Sequence, residues 1–341
     1  DTTAKTTPTA IVSGPNQAAP ATTVALSGTL SFAPAGTTIV KWQWKLLGPW
    51  SGPNAPQFYP NDAAPDVLIG RDHGMLGDIT LDTVGVYAIE LRVWDDQGVE
   101  SVMPGVHTVT VHPTTALYVE LTWDLPPVTK LLCKSGSNAG LQCVNASDCG
   151  GEACGYDGLL KDGPDLDLHV AHAAALLSKV CTEPPELCAG KPCKCGVDSD
   201  GDKIADPWFH TFFDCFWYNP NPGWVAKVGA KQNPTQLLDD ADGLGPESIA
   251  IAELDKGAEY WVGVHVWDGA QFGPTTATVK IWLQGKLVVD VTSKPLQSCD
   301  MWWVKRIAGS AGPGGAVSGP ADKVTSGKTK FAAALGGVCG G

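Results

Sequence analysis

The stretch GDITLDTVGVYAIELRVWDDQGVES, residues 77–101, decides the fold. Its apolar residues recur at every second place, at Tyr87, Ile89, Leu91 and Val93, with Glu90 and Arg92 between them. A period of two is the signature of a strand with one wet face. The DDQG at 95–98 is a turn signal that ends the run.

Upstream, TTVALSGTLSF (22–32) and TTIVKWQWKLL (37–47) carry the same short, β-branched and aromatic pattern, and HTVTVHP (107–113) closes the region. Short alternating runs broken by Gly, Pro or Asp predict a β-sandwich over residues 13–113. The strand VALSGTLSF, the Trp-bearing VKWQWKL and above all VGVYAIELRVWDDQGVES, with Tyr87 and Trp94, resemble the polycystic-kidney-disease-type (PKD) domain. That resemblance implies an immunoglobulin-like sandwich that spaces, adheres or packs.

Downstream the pattern begins again. ALYVELTWDL (116–125), GPDLDLHVAHAAA (163–175), AEYWVGVHVWDG (258–269) and TTATVKIWLQGKLVVDVT (275–292) predict a second antiparallel sandwich over 115–308, with a hairpin at Gln284-Gly285. The expected class is therefore all-β, two sandwiches in tandem. Four pieces, LTWDL, DLDLHV, LLDDADGLGPESI and TTATVKIWLQGKL, resemble a bacterial family of secreted β-sandwich domains, the YfaP type. The resemblance implies a fold and brings no chemistry.

The chain has 11 Cys, and eight of them fall in a segment of about 131–206: Cys133, Cys143, Cys149, Cys154, Cys181, Cys188, Cys193 and Cys195. Cys215, Cys299 and Cys339 follow. No C-x-x-C pair offers zinc ligands, so the irregular gaps read as a disulfide-rich insertion made in an oxidising compartment. An odd count leaves one thiol over. The first residue is Asp1 rather than Met, the expected start after removal of a signal peptide, and no apolar run reaches membrane-span length. The expected place is outside the cell or on its surface.

A formal net charge of -13 and the lack of any Lys/Arg cluster argue against a nucleic-acid partner. The acids are instead concentrated. In DSDGDKIADP (198–207), Asp198, Asp200, Asp202, Ile204 and Asp206 fall in the order that oxygen ligands take around Ca²⁺, and the stretch resembles thrombospondin type 3 repeats. Lys203 stands where Gly usually makes the sharp turn. The loop is either such a cage or a solvated acidic surface. In a second set, Asp165, Asp167 and His169 share one face of a strand, and Asp239, Asp240, Asp242 and Glu247 come from a Gly/Pro-bounded loop. One or two Ca²⁺ sites are expected, against the plainer reading of a wet edge strand beside an Asx-turn loop.

No G-x-S-x-G, G-x-G-x-x-G or Walker loop is present, and H-x-x-H at His169 and His172 lacks the spacing of a zinc protease. The expectation is a protein that is not an enzyme. Of 13 Trp, those in strand patterns read as core. Trp50, Trp208, Trp217, Trp224, Trp302 and Trp303 read as residues in or near loops, and Trp208, Trp217 and Trp224 as the candidates to stack on a glycan or fill a partner contact.

Two tails complete the reading. Residues 1–12 form an extended N-terminal segment within a stretch, 1–22, rich in Thr, Ala and Pro, with an apolar triplet at 10–12, and residues 309–341 are rich in Gly, Ala and Ser. Such a tail cannot order itself alone, so a neighbouring subunit is the simplest thing to hold it. The sequence thus leads to a calcium-stabilised structural or adhesive surface protein that self-associates into a homopolymer by exchange of its N-terminal strand. The alternative is a carbohydrate-binding accessory module.

Overall fold

The computed structural model describes residues 6–49, 67–68, 76–124, 131–133, 136–138, 142–143, 146–151, 154–155, 164–177, 207–209, 212–225, 229–240, 245–268, 274–309 and 315–326. The chain is all-β. Its described helical residues are two short 3₁₀ turns, Ala146–Cys149 and Ala173–Leu177. It divides into two compact units after Pro113.

In the first unit, β1 (Gln17–Ala18), β2 (Thr22–Ser27), β3 (Ile39–Pro49), β4 (Val67–Leu68), β5 (Leu76–Leu81), β6 (Gly85–Asp95) and β7 (Gly105–Val111) form two sheets. One has the order β1-β7-β6-β3-β4 and the other is the β2-β5 pair. The alternation seen in the sequence of β6 becomes its burial: Tyr87, Ile89, Leu91 and Val93 are buried against Val24, Leu26 and Leu81 of the facing sheet. The strand stops where Asp95 Oδ1 accepts the backbone N–H groups of Gln97 (3.0 Å) and Val99 (2.8 Å), and Gly98 supplies a φ of 74° for the turn. The Tyr87 hydroxyl donates to the Thr83 carbonyl at 2.8 Å, the tyrosine corner of immunoglobulin-like sandwiches.

The second unit holds β8 (Leu117–Trp123), β9 (Leu131–Cys133), β10 (Gln142–Cys143), β11 (Cys154–Gly155), β12 (Asp165–His172), β13 (Asp214–Cys215), β14 (Pro234–Leu238), β15 (Glu247–Ile251), β16 (Glu259–Asp268), β17 (Ala277–Leu283), β18 (Lys286–Thr292), β19 (Asp300–Ala308) and β20 (Ala316–Ser326). Two five-stranded sheets, β14-β15-β8-β17-β18 and β13-β12-β16-β19-β20, enclose one core, and β10-β9-β11 is a separate small sheet. The core takes Leu117, Val119 and Leu121 from one sheet and Leu166, Leu168, Val262, Val264 and Trp302 from the other. The expected hairpin forms with Gln284 at φ 49° and Gly285 at φ 75°, so both turn residues are left-handed as a type I′ turn requires.

Three expectations change. Part of the C-terminal tail is no free arm: Ala316–Ser326 pairs antiparallel with β19 and ends that sheet. Its sequence hides this because the strand is held by main-chain bonds and shows little burial pattern. The N-terminal apolar triplet is packed at home. Ala10 is buried, Val12 packs on the same core, and Thr9 and Ser13 bridge to Phe32 and Ser27 of their own unit. Trp302 and Trp303 are buried in β19 rather than placed in loops.

Of the cysteines, Cys133 bonds Cys149 across a separation of 16 residues, tying β9 to the 3₁₀ turn. Cys299 is also disulfide-bonded. Cys143 lies on β10 and Cys154 on β11. Among the described residues, the free thiol is Cys215, and it is buried. Cys181, Cys188, Cys193, Cys195 and Cys339 lie outside the described residues.

Candidate functional site: a sealed polar layer and an acidic strand edge

Strand β12 sets up both features. Its even-numbered residues, Leu166, Leu168 and Val170, enter the core, so Asp165, Asp167 and His169 necessarily point to the other side. That side is not solvent. Residues 207–209 and 212–219 lie over it and bring Trp208, Phe209 and Phe216 down onto the sheet, beside Met301 and Trp303. Gly263 of β16 makes the room: a Cβ there would lie 2.6 Å from Met301 Cε and 2.7 Å from Trp208 Cη2.

Under this lid the His169 Nδ1 donates to Asp214 Oδ2 at 2.7 Å, and the same oxygen accepts the Phe209 N–H at 2.6 Å. The His169 ring stacks on Phe216 at 4.9 Å and meets Phe209 edge-on at 4.8 Å. Both His169 and Asp214 are 0 % exposed. His265, opposite Asp167 in the β12–β16 register, has its Nδ1 3.5 Å from Asp167 Oδ2. Burial, and then the nearby His169, push the His265 pKa down to about 3, so its ring is neutral at physiological pH.

Cys215 follows Asp214 but turns into the core, where burial first and the Asp214 charge second hold its pKa well above the usual thiol value. Asp214 and Cys215 are therefore neighbours in sequence, yet their side chains lie on opposite faces of β13. His169, Asp214 and Cys215 are all buried. This polar layer fixes the lid to the sheet.

The acidic edge lies where the two sheets approach. Because β13 pairs only with Val170 and Ala171, the outward N–H of Leu168 lacks a strand partner. Glu247 of β15 reaches from the other sheet and accepts it with Oε2 at 2.6 Å. Glu247 is 0 % exposed, and its Oε1 has no hydrogen-bond partner among the described residues. Burial, and then the charges of Asp167, Asp239 and Asp165, raise the Glu247 pKa well above the ordinary carboxylate value. Just before it, Gly245 lies where a Cβ would come within 2.8 Å of the Trp123 ring.

Asp165, Asp167 and Asp239 act on Glu247 through their charges, and Asp239 and Asp240 lie on the segment that leaves β14. No group of three or more His, Cys, Asp or Glu among the described residues is drawn into a metal cage. Asp242 and the whole set Asp198, Asp200, Asp202, Ile204 and Asp206 lie outside the described residues.

The three candidate contact tryptophans separate. Trp208 is buried to 2 % and belongs to the lid, so it is no surface platform. Trp224 stacks on Tyr260 at 5.7 Å and packs against the core. Trp217 is half-buried, edge-on to Trp267 and to the exposed Tyr218, each at 5.4 Å. The sequence reading missed His265 and Asp214. His265 alternates with core valines as His169 does with core residues, which was a readable signal. Asp214 had none, since its partner is 45 residues away across the insertion.

No family model and no curated protein matches the chain. Solved structures with some likeness include the PKD domain of an M14-like peptidase from a Thermoplasmatales archaeon. It is 19 % identical, over 31 % of this chain and 93 % of that one, with a TM-score of 0.20. A structure of carbohydrate-binding modules from the β-sandwich superfamily is 11 % identical over 81 % of this chain, with a TM-score of 0.25. The adhesin InvE of Yersinia pseudotuberculosis is 11 % identical over 84 % of this chain, with a TM-score of 0.18. The match spans 58 % of each of the last two proteins. TM-scores this low carry no argument about function.

Proposed function

We propose that the chain is an exported, non-catalytic structural or adhesive protein of the cell surface, whose second sandwich associates edge to edge with further copies of itself. The observation that supports this is that, among the described residues, β18 and β20 end their sheets with no further strand paired to them. Strand β18 ends one sheet and shows Leu287 and Val288 at 44 % and 36 % exposure; β20 ends the other and shows Val317 and Val324 at 42 % each. An edge strand with unpaired main-chain groups and exposed apolar side chains is a template for another strand. The inward-facing His169–Asp214 pair fits a scaffold better than a reaction centre.

The N-terminal strand is a poorer donor than its sequence promised, because Ala10 and Val12 already fill their own unit. Assembly through the β18 and β20 edges leaves both cores intact. Edge charges test the reading: Val288→Lys and Val317→Lys abolish assembly and leave the circular dichroism spectrum unchanged. Assembly that survives both refutes it.

A second reading rests on Trp217 and Tyr218. Their rings meet at 89°, and Tyr218 is 37 % exposed, which gives two aromatic walls able to take a sugar ring. Binding on a glycan array that disappears in Trp217→Ala, with the chain monomeric, supports this reading over the first.

A further inference from the structure

We propose that the first unit docks on an uncharged or zwitterionic lipid surface through a charge-free apolar face carrying Leu30, Phe32, Val102 and Met103. This goes beyond the structural reading of the second unit and does not depend on it. The argument starts from the sequence. Charged residues make up 17 % of the chain, yet residues 6–40 and 101–113 contain no Asp, Glu, Lys or Arg. The fold makes these two stretches neighbours. Thr9 bridges to Phe32, the Ile11 N–H donates to Ser31 Oγ at 2.9 Å, and a Cβ on Gly105 would lie 2.8 Å from the Ala10 carbonyl oxygen. Residues 9–11 therefore adjoin both the 30–32 segment and the run into β7. Leu30, Phe32, Val102 and Met103 are each more than half exposed, and with Val40 and Val106 they are all the exposed large apolar residues described in this unit.

Single exposed apolar side chains are ordinary, but a group of them with no charge in the stretches that carry them marks a contact surface. Its composition selects the partner. Protein contacts draw most of their energy from Trp, Tyr and Arg, with Leu and Val under-represented, and residues 6–40 and 101–113 contain none of the first three. Hydrocarbon excludes charge above all else, and charge is what this face lacks. Its main chain is also partly satisfied from within, since Thr9 with Phe32 and Ser13 with Ser27 exchange their N–H and C=O groups. Shallow insertion to about 5–10 Å, at the headgroup and acyl boundary, then buries apolar side chains at small polar cost. The net charge of -13 lies on the rest of the chain, so an anionic bilayer repels the protein and a zwitterionic one does not.

The test sediments the full chain with phosphatidylcholine vesicles. Wild type pellets with them, added salt does not release it, and replacing part of the phosphatidylcholine by phosphatidylglycerol weakens binding. Phe32→Asp and Met103→Asp each lower the partition coefficient by about tenfold or more, and both melt as wild type does because the side chains are exposed. The proposal is overturned by a wild type that stays in the supernatant, by binding that needs phosphatidylglycerol and is abolished by salt, or by variants that bind as wild type does. It is equally overturned if Phe32→Asp and Met103→Asp abolish assembly of the lipid-free chain, because the face would then belong to a second copy.

Discussion

His172 shows how one side chain records its surroundings. Its ring lies among Phe213, Trp224 and Tyr260, and its Nδ1 accepts the Ala174 N–H at 3.0 Å. Burial lowers its pKa, against a smaller opposing pull from Asp255, and the bond from Ala174 is lost on protonation. The unfolded chain binds the proton first as pH falls. Stability is therefore full above the unfolded value of about 6.5 and declines below it, with a slope under about 1.4 kcal/mol per pH unit for this half-buried group. Melting curves between pH 7.5 and 5 check this, and His172→Gln flattens that decline. At the lid, Gly263→Ala forces a methyl against Met301 and Trp208 and costs about 1–3 kcal/mol in urea unfolding. An unchanged midpoint would show that the lid does not rest on the sheet as described.

Elements differ in how much of themselves they reveal beforehand. Strand β6 was legible because Tyr87, Ile89, Leu91 and Val93 alternate with polar residues, and the I′ hairpin at Gln284-Gly285 because its turn chemistry is local. Strand β20 was not legible, since Gly, Pro and exposed side chains carry no burial period and its pairing with β19 is a main-chain matter. The N-terminal triplet was seen as apolar, but whether it packs at home or abroad depends on contacts with Phe32 and Ser27 that no local pattern encodes. Deleting residues 1–12 removes the packing of Ala10 and Val12 and destabilises the first unit by about 2 kcal/mol. The Cys133–Cys149 bond closes a loop whose constraint is worth about 3 kcal/mol. Its loss in Cys133→Ser loosens the β9–β11 sheet while hydrogen exchange in the β8 and β16 core stays slow; faster exchange there would tie the small sheet to the main fold.

At the scale of the molecule, the division into two sandwiches was written in two separate sets of alternating strands, and each unit has its own core. Half of the candidate site was legible as well. Asp165, Asp167 and His169 had to share a face once β12 was a strand, but the sequence could not say that the face is roofed by Trp208, Phe209 and Phe216, which turns a wet edge into a buried layer. That roof buries the His169–Asp214 pair, and the proposed assembly instead uses the exposed strands β18 and β20. Sedimentation velocity of the purified full chain against its Val288→Lys and Val317→Lys variants tests this most directly. The account predicts concentration-dependent assemblies of wild type and monomers of both variants with unchanged folds. A wild type that stays monomeric at every concentration, or variants that assemble as wild type does, would contradict it.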